Sequence, residues 1–325
     1  MIKSLLAVTS SLAISLPAHA DAPRVATDIL PVQSLVAMVM EGVGTPDLIV
    51  QPGASPHGYA LRPSDARALQ EADLVFWMGP ALTPWMLDAI NTLGEDAQVT
   101  SLLDVDATEL FHFREGASLE MEDAHADHDD HEDHEDHEEE HGNHAEDDGH
   151  DDHEHSGVDP HAWLDPHNAI AWIDLIAFRL VQNDPKNAAI YVQNAKTAQA
   201  MIETVSAEVA AELAPLRGRP YIVFHDAYQY FERHFAIPAA GSISLSDASK
   251  PSPARLAEIR HIITETGALC VFSEAQFNPG LVATVMEGTD ARTALLDPIG
   301  AEQTPGADLY PALLRAMAAR MMECL

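Results

Sequence analysis

The sequence predicts an α/β protein of two lobes, each with a parallel-type sheet flanked by helices, joined by one long rigid helix. Two observations lead to this fold class. Short apolar segments alternate with segments of helical periodicity in two separate series, an order typical of parallel sheets with helices on both faces. Between the series, residues 186–213 contain neither Gly nor Pro. We therefore expect a helix of about 28 residues there, roughly 40 Å long at 1.5 Å per residue.

The first series precedes the long helix. Its helices carry apolar residues three or four positions apart, and Ser64 is the expected N-cap of the second of them. The predicted strands are 25–28, 47–50, 73–78 and 99–102, and the predicted helices are 31–41, 63–71, 85–93 and 168–181.

The second series follows the long helix and repeats the alternation. Its predicted strands are 221–224, 240–245, 269–273 and 293–296, and its predicted helices are 227–234, 253–266, 279–287 and 309–322. Ligands of such sheets bind beside the carboxyl ends of the strands, so we expect the functional site in the cleft between the lobes.

The N-terminus predicts export. A Lys at position 3 precedes an apolar region at 5–16 and the small-x-small sequence Ala18-His19-Ala20, which is typical of a cleavable signal peptide over 1–20. The apolar run is shorter than the roughly 20 residues that span a bilayer, and no Cys follows it to carry a lipid. We expect a mature, periplasmic, monomeric protein without a membrane anchor.

The predicted organisation of the mature chain has three parts and one insertion. The N-terminal lobe covers 21–184, the linking helix 185–214 and the C-terminal lobe 215–325. The insertion, 120–155, interrupts the first lobe and contains ten His, nineteen Asp or Glu, and neither Lys nor Arg. Such a composition cannot build a packed core, so the insertion is expected to be disordered without metal.

The insertion, hereafter the His/acid tract, is best interpreted as a metal-binding segment. Acidic runs are usually solvated linkers, but ten imidazoles among the carboxylates form a ligand field for divalent metals such as zinc. We expect additional weak zinc sites here. Without the tract's nineteen acids the net charge changes from −35 to −16, and this acidity argues against nucleic acid as a partner.

Only two Cys occur, Cys270 and Cys324. In an oxidising compartment such a pair is most simply a disulfide, because a thiolate metal site would need more Cys or a nearby His. The predicted bond ties a strand to the C-terminal helix.

Candidate metal ligands lie near the ends of predicted elements. These are His57, His161, His225 and the carboxylate of Asp297. Three imidazoles and one carboxylate, each at the C-terminal end of a different element, match a tetrahedral zinc site. His112 and His167 also lie in predicted loops.

Four ordered motifs carry a resemblance to the zinc-uptake solute-binding proteins of ABC transporters, the ZnuA type of the metal-binding cluster A-I family. They are Gly-Ala-Ser-Pro-His (53–57) with Leu-Arg-Pro-Ser-Asp (61–65), Asp-Pro-His-Ala-Trp-Leu-Asp-Pro (159–166), Phe-His-Asp-Ala-Tyr-Gln-Tyr-Phe (224–231) and Leu-Leu-Asp-Pro-Ile-Gly (295–300). The likeness extends over the whole mature chain. It implies two α/β lobes, a long linking helix, one tight Zn²⁺ in the cleft and a membrane permease as partner.

The resemblance also assigns ligands. It implies that His57, His161 and His225 bind the metal. Some relatives place a Glu immediately before the first His, where this chain has Pro56, so the fourth position is open to Asp297 or water. Manganese-selective relatives have a carboxylate where this chain has His225, and a third imidazole favours zinc.

Three alternatives stay open on the sequence. The chain could be a manganese- or iron-binding member of the same family. It could be an exported zinc hydrolase with Glu274 or Asp226 as base, although no His-Glu-x-x-His helix is present. It could be a metal buffer in which only the His/acid tract matters.

Overall fold

The structure is a computed structural model, and it describes residues 22–114, 116, 118–119, 157–244, 251–277 and 279–325. The predicted signal peptide and the His/acid tract lie outside these ranges. Two four-stranded parallel sheets organise the described chain.

The first sheet has the strand order β2-β1-β3-β4. Its strands β1, β3 and β4 pair over three or four residues each, in parallel. The bounds are β1 (Val25–Thr27), α1 (Leu30–Met40), β2 (Asp47–Leu48), α2 (Pro63–Glu71), β3 (Leu74–Trp77), α3 (Pro84–Leu93) and β4 (Gln98–Ser101), followed after the tract by α4 (Pro166–Asn183).

The second sheet has the order β6-β5-β7-β8, the same topology as the first. Its elements are β5 (Tyr221–His225), α6 (Gln229–Phe235), β6 (Gly241–Ser244), α7 (Pro253–Thr266), β7 (Cys270–Ser273), α8 (Pro279–Met286), β8 (Arg292–Leu295) and α9 (Leu309–Cys324). In both sheets the first strand in sequence lies centrally, so the carboxyl ends of the inner strands face one edge.

The long helix α5 (Ala188–Leu213) connects the two halves. It packs against α1 and α4 of the first half and against α9 of the second. Its buried residues recur at helical spacing, which places one apolar face inward along its length. They are Tyr191, Ala195, Ala198, Ile202, Val205, Val209 and Leu213.

One apolar core runs through both halves. It joins residues of the first sheet, such as Phe76, through α5 to residues of the second sheet and α9, such as Phe272 and Met317. Two smaller clusters lie on the outer faces of the sheets. The contact between the halves is therefore a continuation of the core.

Local sequence sets the helix ends. Five helices begin at a Pro (α2, α3, α4, α7 and α8), a position where the fixed φ suits the helix and the missing N–H is not needed. Helix α7 ends at Gly267, whose φ of +66° is accessible to Gly without strain.

The predicted elements agree with the observed ones to within two residues at nearly every end, and two expectations need correction. Ser64 is not the N-cap of α2: Pro63 takes the first helical position, so the cap falls on Arg62, whose backbone N–H donates to Asp65 (3.0 Å). The long helix starts at Ala188 because Pro185–Asn187 form a 3₁₀ turn before it.

The predicted disulfide is confirmed. Cys270 at the start of β7 and Cys324 at the end of α9 are bonded, with their Cα atoms 5.9 Å apart. Among the described residues, no helix combines the length and apolar character needed to cross a bilayer.

Candidate metal centre

His57 is presented by the long loop between β2 and α2. The loop is held in place by Trp85, whose indole N–H donates to the carbonyl of Pro56 (2.7 Å) and whose ring packs on Tyr59. The backbone N–H of His57 donates to the hydroxyl of Ser55 (3.3 Å). The imidazole is half-buried, so this side of the site is the nearer to solvent.

His161 lies in the segment between the His/acid tract and α4, immediately before a 3₁₀ turn (Ala162–Leu164). Its Nδ1 lies 2.7 Å from Oδ1 of Asp159, which also accepts its backbone N–H (3.0 Å). The side chain is almost completely buried. The expectation of an element end is thus not met here, because the ring is positioned by a turn and a neighbouring carboxylate.

His225 is the last residue of β5, at the carboxyl edge of the second sheet. Its Nδ1 lies 2.7 Å from Oε1 of Glu274, the residue that follows β7, the neighbouring strand. Both side chains are buried. A carboxylate that accepts from Nδ1–H selects the tautomer in which the lone pair is on Nε2, the arrangement typical of metal-binding imidazoles.

The three imidazoles form a chain of contacts. The ring centroids of His57 and His161 are 5.8 Å apart, and those of His161 and His225 are 5.3 Å apart. Aromatic rings surround the two buried imidazoles: Trp163 lies 5.2 Å from His161, and Phe277 lies 5.5 Å from His225. The predicted histidines are therefore gathered in one site with apolar walls.

Asp297 lies just beyond β8, at the same edge of the second sheet. Its Oδ1 accepts the backbone N–H groups of Ile299 and Gly300 (3.0 Å each), and its Oδ2 accepts that of Glu302 (3.3 Å). The carboxylate thus shapes the following turn. Hydrogen bonds from three N–H groups do not exhaust the lone pairs of a carboxylate.

Asp159 is a buried carboxylate, and its burial raises its pKa to about 6, against the lowering effects of the His161 N–H and the Gln229 amide. The Gln229 amide donates to Oδ2 (3.2 Å). A bound divalent cation would favour the ionised form of this carboxyl group. We therefore expect the negative charge of Asp159 to be balanced when a metal is bound to His161.

A buried cluster of ion pairs lies next to His225 in the chain. Arg114, in the segment that enters the tract, pairs with Asp226 and with Glu232 of α6 (2.6 Å to Glu232). Burial lowers the pKa of this guanidinium, but the two carboxylates outweigh burial and hold it well above its usual value. Asp226 is thus occupied by an arginine, and the segment before the tract is fastened to the second half of the molecule.

The other predicted loop histidines lie elsewhere. His112 is exposed and forms an isolated antiparallel bridge with Val158. His167 lies at the start of α4 beside Asp165 and His234, and one donor atom from each of the three lies within 4.8 Å of the others. His234 was not among the predicted candidates, because no motif around it distinguishes it from a helix-surface residue.

Comparison with known proteins identifies the family to which the chain belongs. A family model described as the zinc-uptake complex component A, periplasmic, matches residues 25–324. The chain belongs to this family. A family member from Paracoccus denitrificans, named as a high-affinity zinc uptake system protein ZnuA, is 48% identical over 312 residues, which cover 96% of this chain and 94% of that one. The family member of the same name from Yersinia pestis is 31% identical over 318 residues, covering 98% and 96%.

Solved structures share the fold. A crystal structure of ZnuA superposes with a TM-score of 0.71 at 22% identity, covering 94% of this chain and 99% of that one. The periplasmic zinc-binding protein TroA from Treponema pallidum gives a TM-score of 0.71 at 19% identity, covering 93% and 99%. The predicted fold class is therefore confirmed.

The carboxylates that orient the histidines were not predicted in that role, although Glu274 was named as a candidate base for the hydrolase alternative. Asp159 has a sequence signal, since it stands two residues before His161. Glu274 has a sequence signal only when the strand order is known. It follows β7, which pairs with β5, and β5 ends at His225.

Proposed function

We propose that this protein captures Zn²⁺ in the periplasm and delivers it to the membrane permease of a zinc ABC transporter. Zinc is the cargo, and His57, His161 and His225 are its ligands. The observation that carries the proposal is the cluster of three imidazoles, two of them buried with Nδ1 against a carboxylate. The zinc-uptake names of the relatives support the same function.

The donor set favours zinc over manganese or iron. Imidazole nitrogens suit borderline cations, whereas manganese prefers carboxylate and water oxygens. The two carboxylates nearest the cluster, Asp159 and Glu274, face Nδ1 of a histidine, which supports an orienting role and leaves nitrogen as the main donor type. We propose Asp297 or a water molecule as the fourth ligand.

The same contacts argue against the hydrolase alternative. Glu274 binds His225, and Asp226 binds Arg114, so each candidate base already has a structural partner. A hydrolase also needs an open coordination position with a base beside it. A purified protein that turned over peptides or esters in a zinc-dependent manner would favour the alternative.

Single substitutions test the ligand set. His57→Ala, His161→Ala and His225→Ala should each weaken zinc binding by more than a hundredfold, because water must replace an imidazole in a site with few ligands. Competition titration against a chelator of known affinity, with zinc and then with manganese, measures this loss. His261→Ala is the matched control, since His261 is exposed on α7 and pairs only with Glu265 among its described ion pairs.

Each variant should first be compared with the parent by thermal unfolding without zinc, because two of the side chains are buried. The expected result is a folded protein that has lost its tight zinc equivalent. Unchanged affinity in any two of the three variants would overturn the ligand assignment. A site that preferred manganese would leave the fold and family intact but change the cargo.

A further inference from the structure

Asp165, His167 and His234 form a second cluster of metal-ligand type, apart from the three cleft histidines. The first two lie at the start of α4, and His234 lies on α6. Nδ1 of His234 is 2.9 Å from Oδ1 of Asp165, and Nδ1 of His167 is 3.5 Å from the same oxygen. The two imidazole rings are in contact, with centroids 4.6 Å apart.

We propose that this cluster is a second binding site for a divalent transition-metal cation of the zinc class. Two imidazoles and one carboxylate are the donors that such cations prefer. In a tetrahedral zinc site with bonds of about 2.1 Å, neighbouring donor atoms are ~3.4 Å apart. The donors of the cluster already lie within 4.8 Å of one another, so small side-chain rotations bring them to this spacing.

The three donors differ in how firmly they are held, and the differences suit a site that binds a cation from solution. Asp165 is buried and held by the backbone N–H of His167 (2.8 Å), which makes it the N-cap of α4. His234 is nearly buried, whereas the side chain of His167 is 73% exposed. The cluster therefore has two fixed donors and one that can turn towards an arriving cation.

Ser206 of α5 can keep its hydrogen bond to His234 whichever ring nitrogen carries the proton. The Ser206 hydroxyl lies 2.8 Å from Nε2 of His234. Without an ion, the hydroxyl donates to Nε2 while Nδ1–H of His234 donates to Asp165. When a cation takes Nδ1, the proton moves to Nε2 and the hydroxyl accepts it, so the Ser206 contact persists and orients the ring.

The position of the site gives it a structural effect. Helix α4 follows His161, and α6 follows His225, so an ion held between them connects the two segments that carry the buried cleft ligands. The second site thus lies where a bound cation stabilises the arrangement of the cleft without entering it.

The test uses the full mature chain and reads each histidine separately. Diethylpyrocarbonate modifies accessible neutral imidazoles, and mass spectrometry quantifies the product at each position as zinc is added. The expected result is that His167 becomes protected once zinc exceeds the tight equivalent. His261, also exposed, is an internal control and should stay reactive.

His234→Gln should raise the zinc concentration for half-protection of His167 at least about tenfold, the lower range of loss for a change around a metal site. His57→Ala should leave that protection in place, which separates this site from the cleft. Continued modification of His167 at saturating zinc, or equal protection in His234→Gln, overturns the proposal.

Crystals of the unaltered protein soaked in zinc provide a measurement that does not depend on a variant. An anomalous peak at the zinc edge within bonding distance of His167 and His234 is expected. Its absence at saturating zinc would contradict the second site.

Discussion

At the scale of the residue, the two carboxylates that contact the buried histidines are expected to determine how well the proposed site binds zinc. Asp159 and Glu274 each lie 2.7 Å from Nδ1 of a buried histidine. Such partners fix the tautomer and ring orientation of a ligand and raise its basicity. In the proposed site we expect them to act through the histidine, as positioning residues.

Asp159→Asn and Glu274→Gln should therefore each weaken zinc binding by about 10- to 100-fold, less than loss of the histidine itself. The amides keep the side-chain shape but remove the acceptor charge. Competition titration with zinc measures the effect, and Glu203→Gln, at an exposed position on α5, is the control. Losses equal to those of the histidine variants would instead indicate that these carboxylates bind the metal directly.

Asp28 makes stability depend on pH. It is completely buried after β1, and burial raises its pKa to about 7, although the N–H groups of Met78 and Ile29 lower it. Between pH ~4 and 7 the unfolded chain loses this proton while the folded protein keeps it. The contribution to stability is fully present below pH ~4, falls as the pH rises to 7, and is absent above that.

A difference of about three pKa units corresponds to a decrease on the order of 4 kcal/mol across this range. Asp28→Asn should remove that decrease, even though the amide satisfies one N–H group fewer and lowers stability overall. Urea unfolding from pH 4.5 to 8 measures it, with Asp88→Asn at an exposed position of α3 as control. An unchanged pH slope in Asp28→Asn would show that this carboxyl group has an ordinary pKa.

At the scale of the element, the disulfide fastens the end of α9 to β7. The bonded residues are 54 positions apart, so the crosslink restricts a long loop of the unfolded chain. The double variant Cys270→Ala/Cys324→Ala should lose about 2–4 kcal/mol of unfolding free energy. Its zinc affinity should change little, because Cys270 pairs with Tyr221, at the opposite end of β5 from His225.

Chemical denaturation of the parent and the double variant measures this loss. The unfolding free energy of the parent, measured in mild reductant, should match that of the double variant. Two free thiols in unreduced parent protein purified from the periplasm would contradict the bond.

Most element types and their order were predictable because hydrophobic periodicity is local. The predicted and observed bounds of α2 and α7 coincide, since Pro63 and Pro253 mark their starts. The N-cap of α2 was not predictable from Ser64, because the choice between neighbouring cap positions depends on where Pro places the first turn. His57, His161 and His225 were found through their motifs. The cluster that includes His234 could not be found in this way, because it depends on how α6 packs against the start of α4.

At the scale of the whole molecule, the continuous core determines how the halves behave together. Domains move relative to each other when the interface between them is small and polar. Here the core extends through α5 into both sheets, and Trp163 donates to the carbonyl of Pro298 (2.8 Å) across the halves. Zinc capture is therefore expected to rearrange loops near His57 more than the lobes.

Thermal or urea unfolding should accordingly be a single cooperative transition, with the fluorescence and circular-dichroism signals of both halves changing together. Excess zinc should shift this transition as a whole. Two resolved transitions would show that the halves are stabilised independently.

The His/acid tract should bind extra zinc weakly, because each ion must order the chain that holds it. A variant without residues 120–155 should lose the weak equivalents in calorimetry and keep the tight one. Protonation below pH ~6.5 should release zinc from the tract first. If the tight equivalent disappeared with the tract, the cleft would not be the principal site.

The chain segments on either side of the tract are hydrogen-bonded to each other. Phe113 donates its N–H to Gly157 (3.1 Å), and Asp159 donates to Phe111 (2.8 Å). On the other side, Leu119 donates its N–H to the carbonyl of Ala240 (3.3 Å), so the described residues that flank the tract are held in place at both ends. For a segment closed between fixed ends, each doubling of length costs only about 0.6 kcal/mol. We therefore expect insertions and deletions there to be nearly neutral for folding, so that the number of histidines in the tract can change without altering the cleft.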